Sequence, residues 1–232
     1  MKTFKNAYAV FHFAGIADIG KASLDYITSV KQNILGTTQI LEACVKCKVK
    51  RFIFGSTIYV YSDLGSFYRT SKQSCELLIE NYNKIYDLNF TILRYGALYG
   101  RRANDFNFIG NVIKQALLDK KIVREGNGEE IRDYIHVKDV ISGLQILAEK
   151  GDAGEIYNIA TGKSMQFRHM LDLMIEHANC GSYELVDIPD FHKKVGIDDF
   201  SCSIDKIKSL GFKPKITLEE GIKNLMLSYK NG

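Results

Sequence analysis

Short apolar, β-rich runs alternate with amphipathic stretches along this chain. Tyr8 to Phe13 is a compact run of aromatic and branched residues and is expected to form a strand. From Ser29 to Lys48 the apolar positions recur at helical spacing, with Val30, Ile34, Thr37, Leu41 and Cys44 on one stripe. Arg51 to Gly55 reads as a second strand. Ser71 to Tyr86 repeats the helical pattern through Cys75, Leu78, Ile79, Tyr82 and Ile85, and Phe90 to Tyr95 is a third strand. Apolar strands separated by helices specify a parallel sheet of βαβ units, so the expected fold class is α/β. Beyond Gly100 the texture changes. A helix is expected from Asp105 to Leu118, a turn at Gly126-Asn127-Gly128, an extended segment from Arg132 to Val137 and a helix from Lys138 to Glu149. A strand at Ile156 to Ala160, a helix near Gln166 to Ala178 and a short strand near Leu185 follow. Helices around Ile204 to Leu210 and from Leu218 to Tyr229 complete the pattern.

The totals leave this picture in place. The 232 residues, 46% hydrophobic and 25% charged, are ordinary for a globular chain of one large or two small domains. The net charge of +4 is mild. Lys46, Lys48, Lys50 and Arg51 cluster at a helix end, where cations suit the dipole, so no nucleic-acid partner is expected. No apolar run reaches the ~20 residues that span a bilayer, and no membrane partner is expected. Lys2 and Lys5 before the apolar run from Ala7 to Ala17 imitate a signal peptide, but His12 interrupts that run. The odd set Cys44, Cys47, Cys75, Cys180 and Cys202 reads as free thiols in a reducing, cytoplasmic compartment. Cys44 and Cys47 have no second pair, so no metal site is expected.

The strongest chemical signal is Tyr68-Arg69-Thr70-Ser71-Lys72. One helical turn separates Tyr68 from Lys72, so both project from one face. A tyrosine titrates near pH ~10, and a nearby ammonium favours phenolate, which makes the pair an acid/base candidate. Such pairs also occur on solvent-facing helices. Ser56 and Thr57 follow a strand whose C-terminal end is where α/β folds bind ligands, or they merely end that strand. Asn33 shares the apolar stripe of its helix. It either ties down the loop after a neighbouring strand or is a satisfied core asparagine.

An ordered series of motifs extends from here. It comprises His12-Phe13-Ala14-Gly15, Asn33 with Gly36-Thr37, Lys50 through Thr57, Val60-Tyr61, Tyr68-x-x-x-Lys72 and Leu93-Arg94-Tyr95-Gly96 with Leu98-Tyr99-Gly100. Arg132 through Val140, Tyr157-Asn158 with Gly162, Leu210 through Pro214 and Leu218-Glu219-Glu220-Gly221 complete it. In order and spacing the series resembles the extended short-chain dehydrogenases, specifically the NAD-dependent nucleotide-sugar epimerases and dehydratases, over nearly the whole chain. The resemblance implies a partial Rossmann-like sheet with flanking helices over residues 1–100, and a smaller, mainly substrate-binding lobe over 101–232. About 137–160 would return to the sheet. It implies Thr57, Tyr68 and Lys72 as catalytic residues. Ala14, Gly15, Asn33, Gly55, Ser56, Tyr68, Lys72 and Tyr95 would line NAD, and Ala97, Arg132 and Asp198 the nucleotide sugar. For Arg132 the plain alternative is an ion pair with Asp133 or Glu130.

Sugar 4,6-dehydratases resembling this family carry an acidic residue just after the catalytic threonine; Ile58 and Tyr59 stand there, so a 4-epimerase fits better, with a 4-keto reductase or dehydratase, or a non-catalytic remnant, as alternatives. There are departures. Ser62 stands in place of a glycine, Ala97 near an expected asparagine, and Val195 in place of a phosphate-binding arginine, a task Lys193 or Lys194 could take over. Nothing before Tyr8 supplies the glycine-rich strand-turn-helix that cradles a dinucleotide, and Gly15 and Gly20 lack a third glycine. The chain is therefore expected to lack the first βαβαβ portion, to bind NAD weakly, and to leave Tyr8–Phe13 as a sheet edge. A homodimer or a complementing N-terminal half is the partner expectation.

Overall fold

The computed structural model describes residues 2–103, 107–119, 121–179, 181–195 and 199–230. In chain order, strand β1 (Ala9–His12) is followed by the short helices α1 (Ile19–Leu24) and α2 (Tyr26–Ser29), a π-helical turn at Val30–Leu35 and α3 (Gly36–Lys46). Next come β2 (Arg51–Thr57), a 3-10 turn at Ile58–Tyr61, α4 (Ser66–Tyr86), β3 (Phe90–Tyr95) and β4 (Ala97–Tyr99). Helix α5 (Phe108–Lys114) passes into a π turn, then β5 (Lys121–Glu125), β6 (Ile131–Arg132), β7 (Tyr134–His136) and α6 (Val137–Lys150). Strands β8 (Glu155–Ile159) and β9 (Met165–Gln166), α7 (Phe167–Ala178), β10 (Ser182–Val186), α8 (Asp190–Val195), α9 (Asp205–Ser209) and α10 (Leu218–Lys230) complete the chain.

The chain divides into two compact units. The first comprises residues 1–95, 146–158 and 194–197 and holds a sheet of order β1-β2-β3-β8. β1 and β3 both run parallel to β2, with Ala9 opposite Arg51 and Phe52 opposite Phe90. This is the α/β architecture expected from the alternating pattern. Every residue of β2 after Arg51 is buried, which explains its unbroken apolar run. Phe52 and Phe54 pack with Phe90 and Ile92 under Leu41 and Cys44 of α3 and Cys75, Ile79 and Tyr82 of α4. β1 has β2 alone as its sheet neighbour among the described residues, and Phe11 and Phe13 are exposed.

Two details depart from the sequence pattern. Val30 and Ile85 lie exposed. The π turn at Val30–Leu35 adds a residue to the helical repeat and rotates the stripe, turning Val30 outward while Asn33 stays buried. Ile85 sits in the last turn of α4, beyond the sheet it would cover. Helix α4 also begins at Ser66, five residues before the expected start, after Gly65 (φ 96°) and Ser66 (φ 50°) turn the chain.

The second unit comprises residues 96–145, 159–193 and 198–232. Its core joins Tyr99, Ile113, Ile122 and Tyr134 to Met170, Leu171 and Met174 of α7 and Ile222 and Leu225 of α10. The strand pairs β4–β7 and β5–β10 are parallel and β6–β9 is antiparallel. Strands β4, β5 and β9 and helix α8 are too short for their few residues to set a periodic pattern apart from loop sequence. Gly126 and Gly128 take positive φ at the expected turn.

Candidate active site

The first unit brings Thr57, Tyr68 and Lys72 together, as the end of β2 meets the first turns of α4. Tyr68 is buried against Ile16, Ala22 and the half-buried Tyr59, whose ring meets it edge-on at 6.3 Å and 81°. Its phenol faces the Thr57 side chain, which favours the phenolate. The Lys72 ammonium donates to the Gly55 carbonyl at 2.7 Å, lies 4.7 Å over the Phe54 ring and sits 6.0 Å from the centre of the Tyr68 ring.

Burial dominates the electrostatics of the pair. Burial pushes the Tyr68 phenol well above its ordinary range, reinforced by Tyr59 and opposed by the Thr57 side chain. Burial also pushes Lys72 down to about 8, opposed by Cys75 and Glu76. Both groups are dry, and desolvation is the first cause acting on each.

Asn33 ties down the loop after β1. Its Oδ1 accepts from the Ile16 amide at 2.7 Å, while Nδ2 donates to the Ile16 carbonyl at 3.0 Å and to Ser71 Oγ at 2.9 Å. Ser71 Oγ donates in turn to the Tyr68 carbonyl at 2.8 Å, so one amide joins that loop to the backbone of the tyrosine. Ala14 and Gly15 stand exposed just before Ile16. A side chain at Gly15, whose φ is +147°, would meet Asn33 Oδ1 at 2.8 Å. Tyr95 pairs with Thr57 across the sheet, and its ring meets Phe13 edge-on. Gly55 is equally tight, since a Cβ there would lie 2.6 Å from the Phe13 ring.

The loop after Thr57 is short and clamped by α4. Arg69 donates to the Ser62 carbonyl at 2.5 Å and Gln73 to the Val60 carbonyl at 3.0 Å. No carboxylate stands directly after Thr57, where Ile58 is buried and Tyr59 faces Tyr68.

His12, at the end of β1, is buried between Phe52 and Phe54, with Nε2 2.9 Å from Thr37 Oγ1. Burial, reinforced by the Lys72 charge, lowers its pKa to about 4. The folded value lies below the unfolded one near 6.5. His12 therefore contributes nothing above that pH and destabilises as pH falls toward 4. The expected loss between pH 7 and 4.5 is about 2 kcal/mol. His12→Gln, whose amide still reaches Thr37, should remove most of that loss. Urea midpoints at the two pH values measure it, and an unchanged difference contradicts the assignment.

In the second unit, Ala97 opens β4 and its amide donates to the Asp133 carbonyl at 2.8 Å. Arg132 is half-buried on β6, with Nη1 donating to the Ile131 carbonyl at 2.9 Å. Its neighbouring carboxylates have other partners as well. Glu130 pairs with Arg124 at 3.1 Å, and Asp133 accepts from the amides of Thr161 and Gly162. Asp198 lies outside the described residues. Sequence reasoning missed the buried polar groups Glu76, Asp133 and Asp139. Glu76 was detectable, since it continues the 68–72 face by one more turn. Among the described residues no cluster of three His, Cys, Asp or Glu side chains could hold a metal ion. No helix there is long and apolar enough to cross a membrane.

Comparison with known proteins places these features among relatives. Residues 1–160 match the family model described as NAD dependent epimerase/dehydratase family. A dTDP-D-glucose 4,6-dehydratase of Dictyostelium discoideum is 26% identical over 96% of this chain, which spans 64% of that protein's length. The UDP-glucose 4-epimerase of Thermotoga maritima, solved with UDP-glucose, superposes with a TM-score of 0.88 at 27% identity, covering 97% of this chain and 77% of that one. A UDP-glucuronic acid 4-epimerase of Bacillus cereus, in complex with UDP-glucuronic acid and NAD, gives 0.90 at 26% identity, covering 99% and 77%.

Proposed function

We propose, from the premise that this chain belongs to the NAD dependent epimerase/dehydratase family, that it serves a nucleotide-sugar 4-epimerase reaction centred on Thr57, Tyr68 and Lys72. The observation that carries the reading is the junction of β2 and α4. A threonine hydroxyl faces a tyrosine phenol one helical turn from a buried ammonium that donates to the Gly55 carbonyl. Named relatives include both epimerases and dehydratases, and the residues after Thr57 favour the first. Elimination of water from a sugar needs an acid to protonate the leaving hydroxyl and a base for the neighbouring carbon. Ile58 can do neither, and Tyr59 is turned against Tyr68.

The residues present fit the nicotinamide-ribose end of NAD. Tyr68 and Lys72 offer a hydroxyl and an ammonium, and the exposed Ala14–Gly15 backbone carries almost no side chain, with Gly55, Ser56, Asn33 and Tyr95 framing the pair. Bound NAD supplies acceptance and return of a hydride at the sugar carbon. Tyr68 takes the proton of the sugar C4 hydroxyl and later returns one to the C4 keto oxygen, while Thr57 holds that oxygen and Lys72 supplies positive charge. Burial favours the neutral phenol, the state that donates. Arg132, with Ala97 and Asp198, serves the nucleotide-sugar end, the guanidinium binding the diphosphate.

Analysis of products from UDP- and dTDP-hexoses tests the branch. A C4-inverted sugar is expected, and loss of water would transfer the chain to the dehydratases. The same reading makes NAD affinity weak. Asp18 caps the N-terminus of the short α1 by accepting from the Lys21 amide at 2.5 Å, so its first turn already holds a carboxylate. Calorimetry should give a dissociation constant weaker than about 100 μM; micromolar binding contradicts this.

A further inference from the structure

Helix α4 and strand β2 are joined by three rungs. Tyr68 faces Thr57, Lys72 Nζ donates to the Gly55 carbonyl, and Ser56 Oγ donates to Glu76 Oε1 at 2.5 Å. The mechanism above uses the first two. The third carries a carboxylate only 5% exposed. Arg94 of β3 closes on the same carboxylate with both arms, Nε to Oε1 at 3.1 Å and Nη2 to Oε2 at 2.5 Å. Its guanidinium lies 4.5 Å over the ring of Tyr61, in the turn that follows Thr57, and the Tyr61 hydroxyl donates to Asn158 Oδ1 at 3.1 Å.

We propose that Glu76 is a positioning residue for Lys72, its buried carboxylate fixed by Ser56 and Arg94 so that the ammonium one turn away stays protonated beside Tyr68. This rests on the function proposed above. A buried ion pair is weak evidence for stability, since apolar side chains of similar volume often serve as well. What apolar side chains cannot supply is negative charge next to Lys72. The groups facing Lys72 are His12 of β1, the Phe54 ring and Gly55 carbonyl of β2, and Tyr68, Cys75 and Glu76 of α4, with Arg94 of β3 bonded to Glu76. Glu76 is the one carboxylate among them. Desolvation opposes the charge on Lys72, while Cys75 and Glu76 raise its pKa.

The test follows Lys72 itself. In the full chain grown with 13C-lysine, the Cε resonance of Lys72, assigned by its absence in Lys72→Arg, is titrated by NMR. A midpoint near pH 8 is expected. Glu76→Gln should lower it by about one pH unit, and Glu80→Gln, on the same helix, should leave it in place. If Glu76→Gln does not fold, the volume-matched pair Glu76→Met with Arg94→Met takes its place, with a smaller downward shift expected because the more distant Arg94 charge leaves with the carboxylate. A folded Glu76 variant with an unmoved Lys72 midpoint overturns the proposal, and lowered thermal stability with no shift makes the rung purely structural. The titration needs no turnover, so its failure is separate from any failure of the epimerase reading.

Discussion

Tyr68→Phe lowers turnover by about a thousandfold, the loss typical of removing a positioned acid/base, and leaves nucleotide-sugar binding within about twofold. The substitution deletes one oxygen from a ring already packed against Ile16, Ala22 and Tyr59, so the fold has no reason to move. It removes the proton acceptor that faces Thr57. Turnover at saturating NAD, beside calorimetric binding of the nucleotide sugar, separates the two effects. A fully active variant ends the assignment. A variant that loses binding in proportion to turnover shows instead that the hydroxyl serves recognition.

Lys72→Met makes the protein more stable while removing its activity. The folded pKa of Lys72 is depressed to about 8 from 10.5. The native state therefore sheds this proton before the unfolded chain does. The cost of holding the charge in a dry site is fully present below pH 8 and fades as pH rises toward 10.5. That cost is about 3 kcal/mol, from which about 1 is subtracted for the lost hydrogen bond to Gly55, leaving a gain of about 2 kcal/mol at pH 7. Glu76 keeps Ser56 and Arg94 in the variant, so no buried carboxylate is stranded. The melting temperature should rise by about 4–8 °C at pH 7 and match the parent near pH 10. An equal or lower melting temperature at pH 7 refutes the depressed value. Destabilised groups of this kind are retained where a reaction needs them.

Much of the fold was legible because β2 and β3 are buried on both faces and read as unbroken apolar runs. Tyr68 and Lys72 were legible as a pair from helical spacing, and Thr57 joined them through the family resemblance. The charge states were not. Sequence places an ammonium near a phenol, but the number of dry neighbours decides which effect wins, and Tyr59, Ile16 and Ala22 come from segments that spacing does not connect to Tyr68. Asn33 was ambiguous between two structural roles until its partners Ile16 and Ser71 were seen. The start of α4 was missed because two consecutive positive-φ residues, Gly65 and Ser66, deliver the chain into the helix without a side-chain cap.

Strand β2 lies inside its sheet, with β1 on one side and β3 on the other, and its last three residues are Gly55, Ser56 and Thr57. Backbone amides in such a strand exchange with solvent only when the whole cooperative unit opens. Deuterium should therefore enter this segment as slowly as anywhere in the unit. Local breathing has no route to the threonine, so a destabilising substitution elsewhere in the unit lowers the fraction of competent molecules while each folded molecule keeps its full rate.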